Sequence, residues 1–426
     1  MKISKKIELL APAGNFSKMK YAFFYGADAV YLGMPDFSLR TKINRFSERE
    51  IKKAIQYAHN LKKKIYVTIN IYARNEHIFP IKKHLIFLRK IKVDGIIASD
   101  PGVISLVKKY LPGVDIHLST QANTVNFEAV SFWKNLGIKR IILARELEIS
   151  EIKEIKKKVP KMELEVFVHG AMCMSYSGRC LLSQWMSGRN ANLGDCSQPC
   201  RWAYFEKQIG AEKKIKEMNF IDNQKKFEIK VEEDRHGTYF FNSYDLNLIE
   251  HLSELVDAGV DSFKIEGRAK SVYYLAITAR AYRKVLCSLE KNFSQAKMKK
   301  EINDQKKELK KLVHRGYTEG FLLGGDPLIN FFGKMEKSDW EFAGEVLGEK
   351  NGFNVLKVHN AVFLESEIEA ITPQKNLKIK IEKILNENME KVREAHGGHN
   401  GKYYFKFSRI LPEMSLIIRK KPDNFT

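Results

Sequence analysis

The chain has 426 residues, 44% of them hydrophobic and 29% charged, with five cysteines. That length and composition exclude long disorder and suggest two or three domains whose cores need no disulfide support. Lys and Arg number 73 against 51 Asp and Glu, a net charge of +22, and no run approaches the ~18 apolar residues of a membrane span.

The N-terminal stretch MKISKKIELLAPAG is basic, but Glu8 and Pro12 interrupt any apolar core of a secretory signal. A cytoplasmic protein is expected. The region from Glu341 onward is close to neutral, so nearly all the positive charge lies on the first 340 residues. Two readings stay open. One is solubility in a lysine-rich chain; the other is a polyanionic partner, most simply RNA.

Short β-rich apolar runs recur along the chain: IELLA (7–11), DAVYLG (28–33), KIYVTIN (64–70), DGIIAS (94–99), VDIHLS (114–119), KRIILA (139–144), LEVFVH (164–169) and DSFKIE (261–266). Amphipathic helical stretches lie between them, such as 47–63 and 128–137. Strands alternating with helices indicate parallel βα units, and eight of them fit one α/β TIM-like (β/α)8 barrel. An open doubly wound sheet is the alternative, but no GxGxxG follows the first strand.

In such a barrel chemistry belongs just after each strand. The residues found there include Asn70, Gln121, Asn123, Arg145, His169, Glu266 and Arg268. Each alone reads as an ordinary polar turn residue; their recurrence at equivalent places suggests a site. His169 and Gly170 read as a tight turn, and Asp245 in NSYDL as the cap of a following helix.

About ninety residues separate the seventh and eighth strands. A connection that long is usually functional. It holds Cys173, Cys180, Cys196 and Cys200, with six, fifteen and three residues between successive members. Four thiolates so spaced suit one tetrahedral ion or one iron–sulfur cluster, with zinc second because only the last pair has zinc-like spacing. Scattered free thiols or a redox disulfide are the plain alternatives. The pair His236–Gly237 suggests a hairpin, and 269–313 reads as helical. Cys287 falls on an apparent helix as a buried apolar side chain.

The expected organisation is a catalytic barrel over 1–315 with an insertion at about 170–242, a connector over 316–339, and a small all-β barrel domain over 340–426.

The sequence resembles the collagenase-like peptidase family U32. The matching pieces are ELLAPAGNF (8–16), YGADAVYLG (25–33), VFVHGAMCMSYSGRCLLS (166–183), GDCSQPCRW (194–202), HGTYFFNSYDL (236–246), FKIEGRAKSVYY (263–274) and RGYTEGF (315–321). Within that family the cysteine segment and the appended β domain are most similar to the branch that hydroxylates tRNA. The resemblance implies oxygen-independent 5-hydroxylation of the wobble uridine, with prephenate as hydroxyl source and a [4Fe–4S] cluster on Cys173, Cys180, Cys196 and Cys200. Relatives that hydroxylate rRNA or, in anaerobic ubiquinone biosynthesis, another aromatic substrate, and the peptidase label itself, supply the alternatives.

For such chemistry Arg145, Arg179 and Arg268 are candidate forks for a small dicarboxylate. Glu266 and His169 are the acid–base candidates. Asn70, Gln121 and Asn123 suit a uracil edge or a carboxylate, and Tyr176 and Trp202 could stack on a flipped base or pack around the cysteines. A peptidase would instead pair Cys173 with His169, although no HEXXH motif is present.

Overall fold

The computed structural model describes residues 6–35, 37–38, 46–173, 175–176, 179–193, 195–201, 218–221, 228–231, 233–234, 237–238, 243–325, 335–336, 338–398 and 401–421. Eight parallel strands form at the eight apolar runs: Glu8–Pro12, Ala29–Gly33, Lys64–Ile69, Gly95–Ala98, Asp115–Leu118, Arg140–Ile142, Glu163–Ala171 and Ser262–Ile265. Each pairs with the next, and the eighth pairs with both the seventh and the first, so the barrel is closed.

Helices between the strands begin where side chains satisfy their first N–H groups. Asn15 caps Phe16–Phe24, Asp100 caps Pro101–Tyr110, and Ser47 with Glu50 forms a capping box on Glu48–Asn60. The two strand faces separate the core into layers. Leu10, Ala29, Tyr31, Tyr66, Ile97 and Ile142 form one buried apolar cluster with Phe167 against it, distinct from the larger core that includes Leu9, Val30, Val67 and the helices. Among the described residues no helix is long and apolar enough to cross a membrane.

Two short strands extend the barrel sheet at its seventh strand. Asp245–Asn247 runs antiparallel to His169–Ala171, and Tyr317–Thr318 pairs with Asp245 and Leu246. The start of the expected connector is therefore part of the barrel sheet; much of its remainder, 326–334 and 337, lies outside the described residues. The expected hairpin is present as Glu233–Asp234 against Gly237–Thr238. The expected helical region is Val272–Glu290 followed by Gln295–Lys310.

The C-terminal region is all β, an eight-stranded antiparallel sheet over its own core, which includes Val346, Leu356, Ile384 and Phe405. It docks on the barrel through buried polar contacts. Tyr25 Oη donates to the carbonyls of Ile371 (2.8 Å) and Met414 (3.1 Å), and Arg280 Nη1 donates to that of Thr372 (2.8 Å). Tyr273 stacks on Phe342 with centroids 5.4 Å apart.

Candidate active site at the barrel mouth

Because all eight strands run the same way, the residues that follow them meet at one rim. A cavity of about 140 Å³ opens there, walled by Asn70, Gln121, Arg145, Cys173, Glu266 and Arg268 together with Lys264 and the rings of Tyr31 and Phe167. Five of the seven rim residues singled out in the sequence thus share one wall with the first cysteine, Asn123 and His169 being the exceptions.

The side chains of this wall are held in place. Arg268 Nη1 lies 3.4 Å from Ser38 Oγ and 3.3 Å from Thr68 Oγ1. Arg145 Nη1 donates to the Ala171 carbonyl (3.1 Å), and its guanidinium lies 4.0 Å from the Phe167 ring centroid. Its Nε is buried with no hydrogen-bond partner among the described residues. Asn70 Nδ2 donates to Ser119 Oγ, which donates to Gln121 Oε1, both at 3.3 Å. Gln121 is only 2% exposed, and its Nε2 has no partner among the described residues. The Glu266 backbone is fixed on both sides: its N–H donates to the His169 carbonyl (2.8 Å), and its carbonyl accepts from Tyr274 Oη (2.9 Å).

Beneath the cavity lies a buried ionic network. Lys264 Nζ is 2.7 Å from Glu165 Oε1, and Arg140 Nη1 is 3.1 Å from Glu165 Oε2. Arg140 also meets Glu8 at 2.5 Å and Glu163 at 2.9 Å, joining the first, sixth and seventh strands across the interior. Burial pushes the Lys264 ammonium below its ordinary value, and the adjacent Glu165 opposes that shift.

His169 is not on the cavity wall. Its ring is enclosed by Tyr274, Tyr282 and Tyr317, with centroids 5.5 to 5.8 Å away, and its Nδ1 lies 3.3 Å from Tyr282 Oη. Burial pushes its pKa down to about 4, so it is neutral at ordinary pH. The expected turn at Gly170 is instead continuous strand. A bulge between Lys264 and Ile265 shifts the register there, and Gly170 adopts φ +112° where a Cβ would come within 2.7 Å of the Glu266 carbonyl oxygen. Asp245, expected as a helix cap, lies in a strand and pairs with Arg315.

None of the five cysteines is in a disulfide; Cys173 is exposed and Cys180, Cys196, Cys200 and Cys287 are half-buried. A short helix, Leu182–Ser187, is tied to the segment bearing Cys196. Ser183 Oγ and Ser187 Oγ lie 2.9 and 2.7 Å from Ser197 Oγ, and Arg189 pairs with Asp195 at 2.6 Å. The Gln198 N–H donates to Cys196 Sγ at 3.4 Å. Four cysteines outside any disulfide in one segment fit a thiolate-held centre by chemistry. Among the described residues, however, no three His, Cys, Asp or Glu side chains are gathered around one point.

Tyr176 and Arg179 border a second, open cavity of about 530 Å³ with Asn123 and Ser175. Tyr176 is 64% exposed. Trp202 lies outside the described residues. The residues that the sequence reading passed over are Lys264, Ser119 and the two aromatic walls. Lys264 had a legible signal, the one basic residue inside the run DSFKIE.

The family model described as peptidase family U32 matches residues 14–329, and that of its C-terminal domain matches 338–419. The chain is 43% identical to the tRNA hydroxylation protein P of Haemophilus influenzae, over 96% of this chain and 95% of that protein. It is 31% identical to a 23S rRNA 5-hydroxycytidine synthase of Escherichia coli, over 83% of this chain and 53% of that protein. A collagenase of Porphyromonas gingivalis is 30% identical over 74% of this chain and 73% of that protein.

Proposed function

The chain belongs to peptidase family U32, and on that footing we propose that it is an RNA-hydroxylating enzyme acting on tRNA. In the finer reading it adds a hydroxyl to C5 of the wobble uridine without dioxygen, with prephenate as the hydroxyl source. The relatives named for tRNA and rRNA hydroxylation support the reaction class.

The observation that carries the reading is the chemistry of the mouth wall. Arg145 and Arg268 there outnumber the one carboxylate, Glu266, and Lys264 is already paired with Glu165. Two guanidinium forks on one wall suit the carboxylates of a small anion. Arg145 and Arg268 present forks to its carboxylates, and the Asn70–Ser119–Gln121 chain orients a polar edge. Glu266, held by its own backbone, is the group placed to take or give a proton at the ligand. His169 acts through its carbonyl on the Glu266 N–H, as a positioning residue. Tyr176 offers a face on which a flipped base can stack, with Arg179 beside it. Cys173, Cys180, Cys196 and Cys200 would hold a [4Fe–4S] cluster, which supplies electron transfer when bound.

A peptidase reading draws on the collagenase relative. It needs Cys173 activated by His169, yet the His169 ring is enclosed by tyrosines away from the wall that bears Cys173. The test is a nucleoside comparison. tRNA from cells lacking the gene should have lost its 5-hydroxyuridine-derived nucleosides; an unchanged profile together with gelatin hydrolysis by the purified protein would favour the peptidase.

A further inference from the structure

We infer that Lys264, with the Gln121 side-chain amide, is the carboxylate-binding floor of the barrel-mouth cavity, and that a small dicarboxylic acid is seated there with one acid group inside the barrel. The inference deepens the proposed function and rests on its reading of the mouth as the site of a small acid.

Lys264 is 3% exposed, yet it lines the cavity. An ammonium carries three donors. One is spent on Glu165 Oε1 at 2.7 Å, and no second hydrogen-bond acceptor for Lys264 is found among the described residues. The rest of its surroundings are ring faces, with Tyr31 at 4.6 Å and Phe167 at 5.3 Å from Nζ to centroid. Those rings stabilise the charge without using its N–H groups. Glu165 is itself shared, because its other oxygen faces Arg140 at 3.1 Å. Arg140 also meets Glu8 and Glu163, so the network carries no surplus positive charge, but two of the three Lys264 donors have no acceptor among the described residues and face the cavity.

Gln121 supplies an independent observation. Its Nε2 is buried on the same wall with no partner among the described residues, while its Oε1 is committed to Ser119. A buried amide donor left unmatched is costly, and an acceptor oxygen in the cavity would satisfy it. A carboxylate has two acceptor oxygens and a negative charge, which suit an amide donor and an ammonium on one cavity lining. Arg145 and Arg268, which follow the sixth and eighth strands at the rim, line the same cavity on the side of the second acid group.

The test is calorimetric titration of the full chain, without RNA, with prephenate and with the monoacid phenylpyruvate. The wild type should bind prephenate more tightly than phenylpyruvate. Lys264→Met should weaken prephenate binding by at least about tenfold, the worth of a charge-assisted hydrogen bond. That variant strands Glu165, so a Glu165→Gln/Lys264→Met pair, which removes both charges together, should show the same loss in a folded protein. Gln121→Glu, which places a carboxylate against the acid, should weaken binding further than Gln121→Leu. Unchanged affinity in the paired variant, or no binding of either acid by the wild type, would overturn the inference. Because no RNA is present, failure of the tRNA assignment would leave the titration result standing, and the two can be told apart.

Discussion

Asp245 and Arg315 form a buried ion pair, Oδ1 to Nη2 at 2.5 Å, although 70 residues separate them. The pair fastens the strand that leaves the cysteine-bearing insertion to the segment beyond the last barrel helix. Asp245 begins the short strand that runs antiparallel to the end of the seventh barrel strand, and Arg315 lies two residues before the strand Tyr317–Thr318 that pairs with it.

Arg315→Met should destabilise the protein by about 3–5 kcal/mol, because it leaves a buried carboxylate without its cation. Asp245→Asn combined with Arg315→Met should recover much of that loss in urea denaturation. Burial alone would raise the Asp245 pKa, but the Arg315 charge and hydrogen bonds bring it below the ordinary value of 3.8. The pair's contribution is therefore complete above that ordinary value and is lost as pH falls through the lower folded one.

His169 should remain neutral across the working range, with its ring resonances unchanged from pH 8 to 5.5 in an NMR titration. Its folded pKa of about 4 lies below the ordinary 6.5. The fold therefore loses stability as pH drops below 6.5, and the loss grows until about 4. A His169 titration near pH 7 would show that the tyrosine enclosure is open in solution.

Gly170→Ala should cost about 1–3 kcal/mol, since the position needs φ +112° and a methyl there meets the Glu266 backbone at 2.7 Å. Turnover should fall further than stability does, because the group displaced is Glu266. Thermal melting and turnover measured on the same preparation separate the two effects.

The barrel was legible because eight short apolar runs alternate with amphipathic helical stretches, and that pattern survives any detail of packing. The five wall residues were legible for the same reason, since parallel strands put their ends together. The strands Asp245–Asn247 and Tyr317–Thr318 were not legible: three and two residues carry no periodicity. Nor was the partner of Asp245, because an ion pair across 70 residues leaves no local mark. Lys264 could have been found by asking which charge a buried strand tolerates. For the cysteines, donor type was legible and arrangement was not; metal sites are commonly completed only when the ion binds.

Iron analysis follows from those thiols. Protein purified without oxygen should be brown and hold about four irons per chain. Alanine at Cys173, Cys180, Cys196 or Cys200 should lower the iron content, and alanine at Cys287 should leave it unchanged. A colourless protein with a single tight zinc would replace the cluster with a structural ion.

The most direct measurement is reconstitution. Purified protein, held without oxygen and supplied with prephenate, is incubated with tRNA from cells that lack the gene. The account predicts that one oxygen atom appears at C5 of the wobble uridine, and that Arg145→Met and Arg268→Met each suppress it. Recovery of tRNA with no added oxygen, from iron-loaded protein that binds prephenate, would contradict it.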